Sequence, residues 1–239
     1  MLGNHGRGLT RALFTRPALA MARAGVTPNV LTVAGTVLSV SAAVLLLPQG
    51  HFVAGPLVLA LVLVADSFDG ILARATGRTS VFGAFLDSTM DRLADGAVFA
   101  SLAAWAALRM EAGALRTVTL VAALSSVVLA GVVPYARARA EAVGVQASVG
   151  VAERTDRLVV ALLATLAVGL GAPLWVLTLG LSYVCLASLV TVLQRVRAVA
   201  VQTAPTPSSA EPGLDGSPAP GTPGPVPGTA GTAADGRPS

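Results

Sequence analysis

The chain has 239 residues, of which 54% are hydrophobic and only 12% charged. A soluble domain of this size carries about 25% charged residues, so this composition excludes an ordinary water-soluble fold and calls for a lipid environment. All sixteen basic residues are arginine. They fall between apolar runs and not in a basic block, which argues against a nucleic-acid partner despite the formal charge of +4.

Residues 1–25 lack a long apolar stretch and are not read as a cleaved leader. Within them, "LTRALFTRPALAMARA" (residues 9–24) is a short basic amphipathic segment suited to the headgroup plane of a membrane. Six apolar segments follow, each a predicted span: Val30–Leu47, Phe52–Ala73, Val81–Leu108, Thr117–Ala136, Leu158–Gly171 and Pro173–Leu193. The expected fold is all-α, an integral membrane protein of six transmembrane helices preceded by an interfacial amphipathic helix. Residues 26–200 form the membrane domain. Residues 201–239 are a Pro/Gly/Ala-rich tail with almost no large apolar side chain, expected to be disordered. Cys185 lies alone inside an apolar run and reads as a small buried hydrophobe.

Arginines set the orientation. Arg7, Arg11, Arg16, Arg23, Arg74, Arg78, Arg137, Arg139, Arg154, Arg157, Arg195 and Arg197 flank the spans on one side; Arg109 and Arg116 flank them on the other. The positive-inside rule then places both termini in the cytoplasm and requires an even number of spans.

The stretch "DSFDGILARATGRTSVFGAFLDSTMD" breaks the apolar pattern. It reads as the inner end of span two, a turn at "TGRTS", and the inner end of span three. Residues three or four apart lie about 60° or 40° apart around a helix. Asp66, Asp69, Gly70 and Ala73 therefore form one stripe, and Gly83, Asp87, Asp91 and Asp95 another. A carboxylate at mid-bilayer costs about 3 kcal/mol, and like charges repel. Divalent cations are the natural neutraliser, and an oxygen-only donor set suits Mg²⁺ or Mn²⁺. Four carboxylates can bridge two such ions, an arrangement suited to phosphoryl displacement. Gly70 and Gly83 leave room for a ligand or a close helix, and Arg74 can reach a phosphate. A cation or proton pathway is the alternative use of such a cluster.

The eight residues Asp66, Asp69, Gly70, Ala73, Arg74, Gly83, Asp87 and Asp91, at these spacings, resemble the signature of the CDP-alcohol phosphatidyltransferases, membrane enzymes of phospholipid synthesis. The likeness runs from "VTPNVLT" to about Arg197. It implies a six-helix fold, a homodimer, and a site open to the cytoplasmic face of the cell membrane. It implies that Asp66, Asp69, Asp87 and Asp91 bind two metal ions, with Asp91 also the catalytic base. Gly70 and Arg74 would contact the CDP of CDP-diacylglycerol, as would Asn29, Thr32 and Ser80.

The loop after span four supplies Arg137, Arg139, Arg154 and Arg157, fixed cations that suit a phosphorylated acceptor, and Arg137, Arg139 and Arg154 are the candidates for its phosphate. The segments "YARARAE", "ERTDRL" and "FGAFLDSTMDRLADGAVF" resemble the actinobacterial members that transfer the phosphatidyl group to inositol phosphate. Pro134 and Arg137 stand where those members commonly have serine and lysine, which leaves glycerol 3-phosphate as the alternative acceptor.

Overall fold

The computed structural model describes residues 27–75, 80–147, 149–151 and 153–204, with backbone alone for residues 66–75. The amphipathic segment at 9–24 and the tail beyond residue 204 lie outside the described residues. Among those described there are six helices and no strand: α1 Pro28–Leu46, α2 Ala54–Ala75, α3 Val81–Arg109, α4 Ala114–Ala142, α5 Arg154–Gly169 and α6 Trp175–Gln202. Each expected span is a helix.

Local chemistry sets the ends. Thr27 caps α1 by accepting from the Val30 amide, and Pro28 stands at the helix start, where its missing N–H costs nothing. Ser80 Oγ accepts from the Gly83 amide at 2.9 Å and caps α3. At the head of α5, Glu153 and Asp156 form a reciprocal capping box, with the Glu153 amide donating to Asp156 Oδ2 at 3.1 Å. Gly171, at φ 104°, makes the turn between α5 and α6 in a region disfavoured for side chains.

The six helices close a ring. α1 packs on α2, α2 on α5, α5 on α6, α6 on α4, α4 on α3 and α3 back on α1. Ala43, Leu47, Phe99, Leu102, Ala123, Leu177 and Leu181 are buried inside it. Thr119 and Thr178 join their hydroxyls across α4 and α6 at 2.7 Å, which satisfies two polar groups where no water competes. Outward, Leu45, Leu61, Leu124, Leu179 and Leu186 are exposed. Water penalises such a surface; lipid does not.

Helices α1, α4 and α6 are long and apolar enough to cross a membrane, and the chain is a membrane protein. α2 opens with an apolar stretch, Ala54–Ala65, and its sequence then carries Asp66 and Asp69. α3 carries Asp87, Asp91 and Asp95 in its first half. α5, at 16 residues, is the shortest of the six.

The linker from α4 to α5 is strapped to α6. The Val151 amide donates to Thr191 Oγ1 at 3.2 Å, and Arg195 Nε donates to the Val149 carbonyl at 3.0 Å. This strap brings the start of α5 beside the end of α6.

Candidate active site

Successive helices connected by short loops run in alternating directions. The starts of α3 and α5 therefore share one end of the ring with the ends of α4 and α6. A cleft of roughly 460 Å³ opens there. Asp87, Asp91 and Asp95 line it from α3, Arg137 and Glu141 from α4, Arg154 and Arg157 from α5, and Arg195 from α6.

Helical spacing of four puts Asp87, Asp91 and Asp95 on one face, at increasing depth. Asp91 is one-quarter exposed, whereas Asp95 is only 2% exposed. A carboxylate so buried is sustained only by close counter-charges. Arg157 Nη2 donates to Asp95 Oδ2 at 3.3 Å, and Arg154 Nε to Asp95 Oδ1 at 3.1 Å. Arg154 also spans to the neighbouring carboxylate, with Nη1 2.9 Å from Asp91 Oδ1. The two arginines are three apart on the first turn of α5, so both reach the same face of α3.

The remaining predicted residues are distributed as follows. Arg137 lines the cleft and pairs with Glu141 at 2.9 Å, both more than half exposed. Arg139, on the same helix, is exposed and is absent from the cleft wall among the described residues; two residues from Arg137, it turns to another face. Asn29 and Ser80 meet at Gly83. A methyl group added to that glycine would stand 3.2 Å from Asn29 Oδ1 and 3.1 Å from Ser80 Oγ. The predicted nucleotide contacts at the starts of α1 and α3 are thus adjacent in space. Thr32 is buried and donates to the Pro28 carbonyl at 3.1 Å. Asp66, Asp69, Gly70 and Arg74 lie on the second half of α2, and their side chains lie outside the described residues.

The donors that are described fit hard divalent cations. Asp87 and Asp91 offer carboxylate oxygen, and no histidine or cysteine lines the cleft among the described residues. Those residues alone do not complete a cluster of three such ligands; the two aspartates of α2 are the missing members of the predicted set.

Sequence reasoning counted Arg157 among the fixed cations of the loop after α4 without assigning it to the acceptor phosphate, and did not single out Arg195 as a cleft residue. Arg157 had a signal, the three-residue step from Arg154. Arg195 had none: it follows an apolar run and reads as a topology residue. In the fold it is buried, donating to the carbonyls of Val149 and Val133.

Comparison with known proteins gives a consistent result. The family model described as CDP-alcohol phosphatidyltransferase matches residues 25–193. The chain is 43% identical over 191 residues to the phosphatidylinositol phosphate synthase of Mycobacteroides abscessus, covering 80% of this chain and 85% of that one. It is 42% identical over 200 residues to that of Mycolicibacterium smegmatis, covering 80% and 87%. Among solved structures it is similar to the Mycobacterium tuberculosis phosphatidylinositol phosphate synthase with CDP-DAG bound. There the TM-score is 0.75 and the identity 35%, over 79% of this chain and 94% of that one. The same protein in complex with manganese and citrate gives a TM-score of 0.74 at 36% identity, over 78% and 88%.

Proposed function

The chain belongs to the CDP-alcohol phosphatidyltransferase family and is an enzyme of that class, and on this premise we propose that it moves the phosphatidyl group of CDP-diacylglycerol onto inositol phosphate. The acceptor is 1D-myo-inositol 3-phosphate. The products are phosphatidylinositol phosphate and CMP. One observation carries the reading: a single cleft gathers carboxylates on α3 and guanidinium groups from α4, α5 and α6. The first suit a metal-bound pyrophosphate, the second the phosphate of an acceptor.

Asp66, Asp69, Asp87 and Asp91 would hold two divalent ions, Mg²⁺ or Mn²⁺, which when bound neutralise the charge that develops on the departing nucleotide. Asn29, Thr32, Gly70, Arg74 and Ser80 bind and orient the CDP portion. Arg137, Arg154 and Arg195 grip the acceptor phosphate. Arg139, away from the cleft, is left out of that set. Asp91 takes the proton of the acceptor hydroxyl as its oxygen bonds to phosphorus and the bond from phosphorus to CMP breaks. The diacyl tails stay in lipid throughout, which suits a site at the cytoplasmic end of the helix ring.

The same reading makes all six helices membrane spans, with the segment at 9–24 in the headgroup plane and both termini cytoplasmic. It places the enzyme in the cell membrane as a homodimer.

The experiment is to supply purified protein with CDP-diacylglycerol and, in parallel, inositol 3-phosphate, glycerol 3-phosphate or free inositol. Release of CMP with inositol 3-phosphate, far above the other two, supports the proposal. Preference for glycerol 3-phosphate reassigns the acceptor. No CMP with any of them overturns the proposed choice of acceptor and calls for other hydroxyl acceptors.

A further inference from the structure

Asp95 takes no step in the transfer set out above, yet among the described residues it is the most deeply buried charge at the cleft. It is 2% exposed, and each of its oxygens accepts from a different arginine, Oδ1 from Arg154 and Oδ2 from Arg157. We propose that Asp95 is a positioning residue of the acceptor site, holding Arg154 and Arg157 side by side and keeping Arg154 on the cleft wall when Asp91 is engaged elsewhere. The inference rests on the acceptor reading given under Proposed function.

Geometry supports the first half. A guanidinium is planar, so two anchored nitrogens fix its plane. Arg154 is anchored at Nε by Asp95 and at Nη1 by Asp91. Both carboxylates line the cleft, but Asp91 is one-quarter exposed and Asp95 only 2%. A ligand in the cleft meets the more exposed Asp91 first, and Asp95, at 2% exposure and held by two arginines, is the harder contact to displace. Asp95 is then the contact that survives substrate binding.

Charge supports the second half. Asp91, Asp95, Arg154 and Arg157 together are neutral. Once Asp91 serves the donor side, Asp95 with its two arginines carries a net positive charge at the cleft, the complement of a phosphate. An arginine without the buried anchor would follow Asp91 or swing to solvent, losing the geometry that a charge-assisted bond needs.

The test measures acceptor and donor KM for Arg154→Gln, Asp95→Asn, Asp95→Glu and the Arg154→Gln/Asp95→Asn double variant. CDP-diacylglycerol affinity and melting in detergent are measured beside them. Arg154→Gln should raise the acceptor KM roughly tenfold or more. Asp95→Asn should do the same while donor KM and affinity stay within about twofold of wild type, and the double variant should be no worse than the worse single, since both act through one guanidinium. Asp95→Glu keeps the charge and should give a smaller rise, again confined to the acceptor; it carries the test alone if Asp95→Asn does not fold. The inference is overturned if Arg154→Gln raises the acceptor KM but the Asp95 variants do not. Equal effects on both substrates, or multiplied effects in the double variant, overturn it as well. An unchanged acceptor KM in Arg154→Gln overturns the acceptor role of that arginine and this inference with it.

Discussion

Arg154 Nη1 lies 2.9 Å from Asp91 Oδ1, which ties the outermost of two neighbouring carboxylates on α3 to the first turn of α5. The contact is partly exposed on both sides, so a ligand can replace it. Asp91 can therefore exchange its arginine for substrate more readily than Asp95, which is one turn deeper, 2% exposed and held by two arginines. On this ground the base role in the proposed reaction is assigned to Asp91. Asp91→Asn keeps the shape and a hydrogen bond to Arg154 but removes the proton acceptor. Loss of a general base costs about 10²–10⁴-fold in turnover. Single-turnover rates should fall at least that far while CDP-diacylglycerol affinity is largely retained. A near wild-type rate would take the role away from Asp91.

Metal dependence follows from the donor chemistry. Carboxylate oxygens are the only anionic donors expected from α2 and α3, so Mg²⁺ or Mn²⁺ should support turnover and chelation should abolish it reversibly. Mn²⁺ binding can be read independently by electron paramagnetic resonance. Asp87→Asn should weaken it, and Arg139→Gln should not. Full turnover in metal-stripped, chelated buffer would give the carboxylates another purpose.

The two arginines of α4 separate along the same line. Arg137 lines the cleft, and its exposed pair with Glu141 is worth only about 0.3–0.5 kcal/mol, so a phosphate can displace it. Arg137→Gln should raise the acceptor KM by roughly tenfold or more, the cost of one charge-assisted bond at about 1.5–3 kcal/mol. Arg139→Gln should leave both KM values unchanged. Equal effects from the two variants would mean that both act through topology or folding.

Much of this site is legible in sequence because it is periodic. Asp87, Asp91 and Asp95 recur every four residues, and that step alone puts them on one face of one helix. The apolar runs likewise give all six helices. What the runs misplace is where helices stop. α4 continues six residues past Ala136 to Ala142, and α6 nine past Leu193 to Gln202. These extensions carry Arg137, Arg139, Arg195 and Arg197, which read as loop on hydropathy, yet Arg137 and Glu141 sit four apart and pair as helical neighbours do. Partnerships between helices are the other gap. Asp95 and Arg157 are 62 residues apart, as are Arg195 and the Val133 carbonyl. No local pattern specifies such a pairing; it follows only from the order in which the helices close the ring.

That order depends on close approaches, and the last prediction tests one of them. A Cβ on Gly180 of α6 would stand 2.6 Å from the Cβ of Ala164 on α5. Neither atom is the tip of a flexible chain, so the two helices must part. Gly180→Ala should therefore destabilise by about 1–3 kcal/mol, the usual cost of overpacking, despite alanine's better helix propensity. Gly131 of α4 meets nothing within 4 Å, and Gly131→Ala should be neutral or stabilising by up to about 1 kcal/mol. Removing the opposing methyl supplies the decisive control: Ala164→Gly should recover melting temperature in the Gly180→Ala background and lower it in the wild type. Because α5 carries Arg154 and Arg157 at its head, the acceptor KM should follow the same order, raised in Gly180→Ala and lowered again in the double variant. If Ala164→Gly lowers the melting temperature equally in both backgrounds, the two residues are not in contact, and the α5–α6 packing described here is wrong at that point.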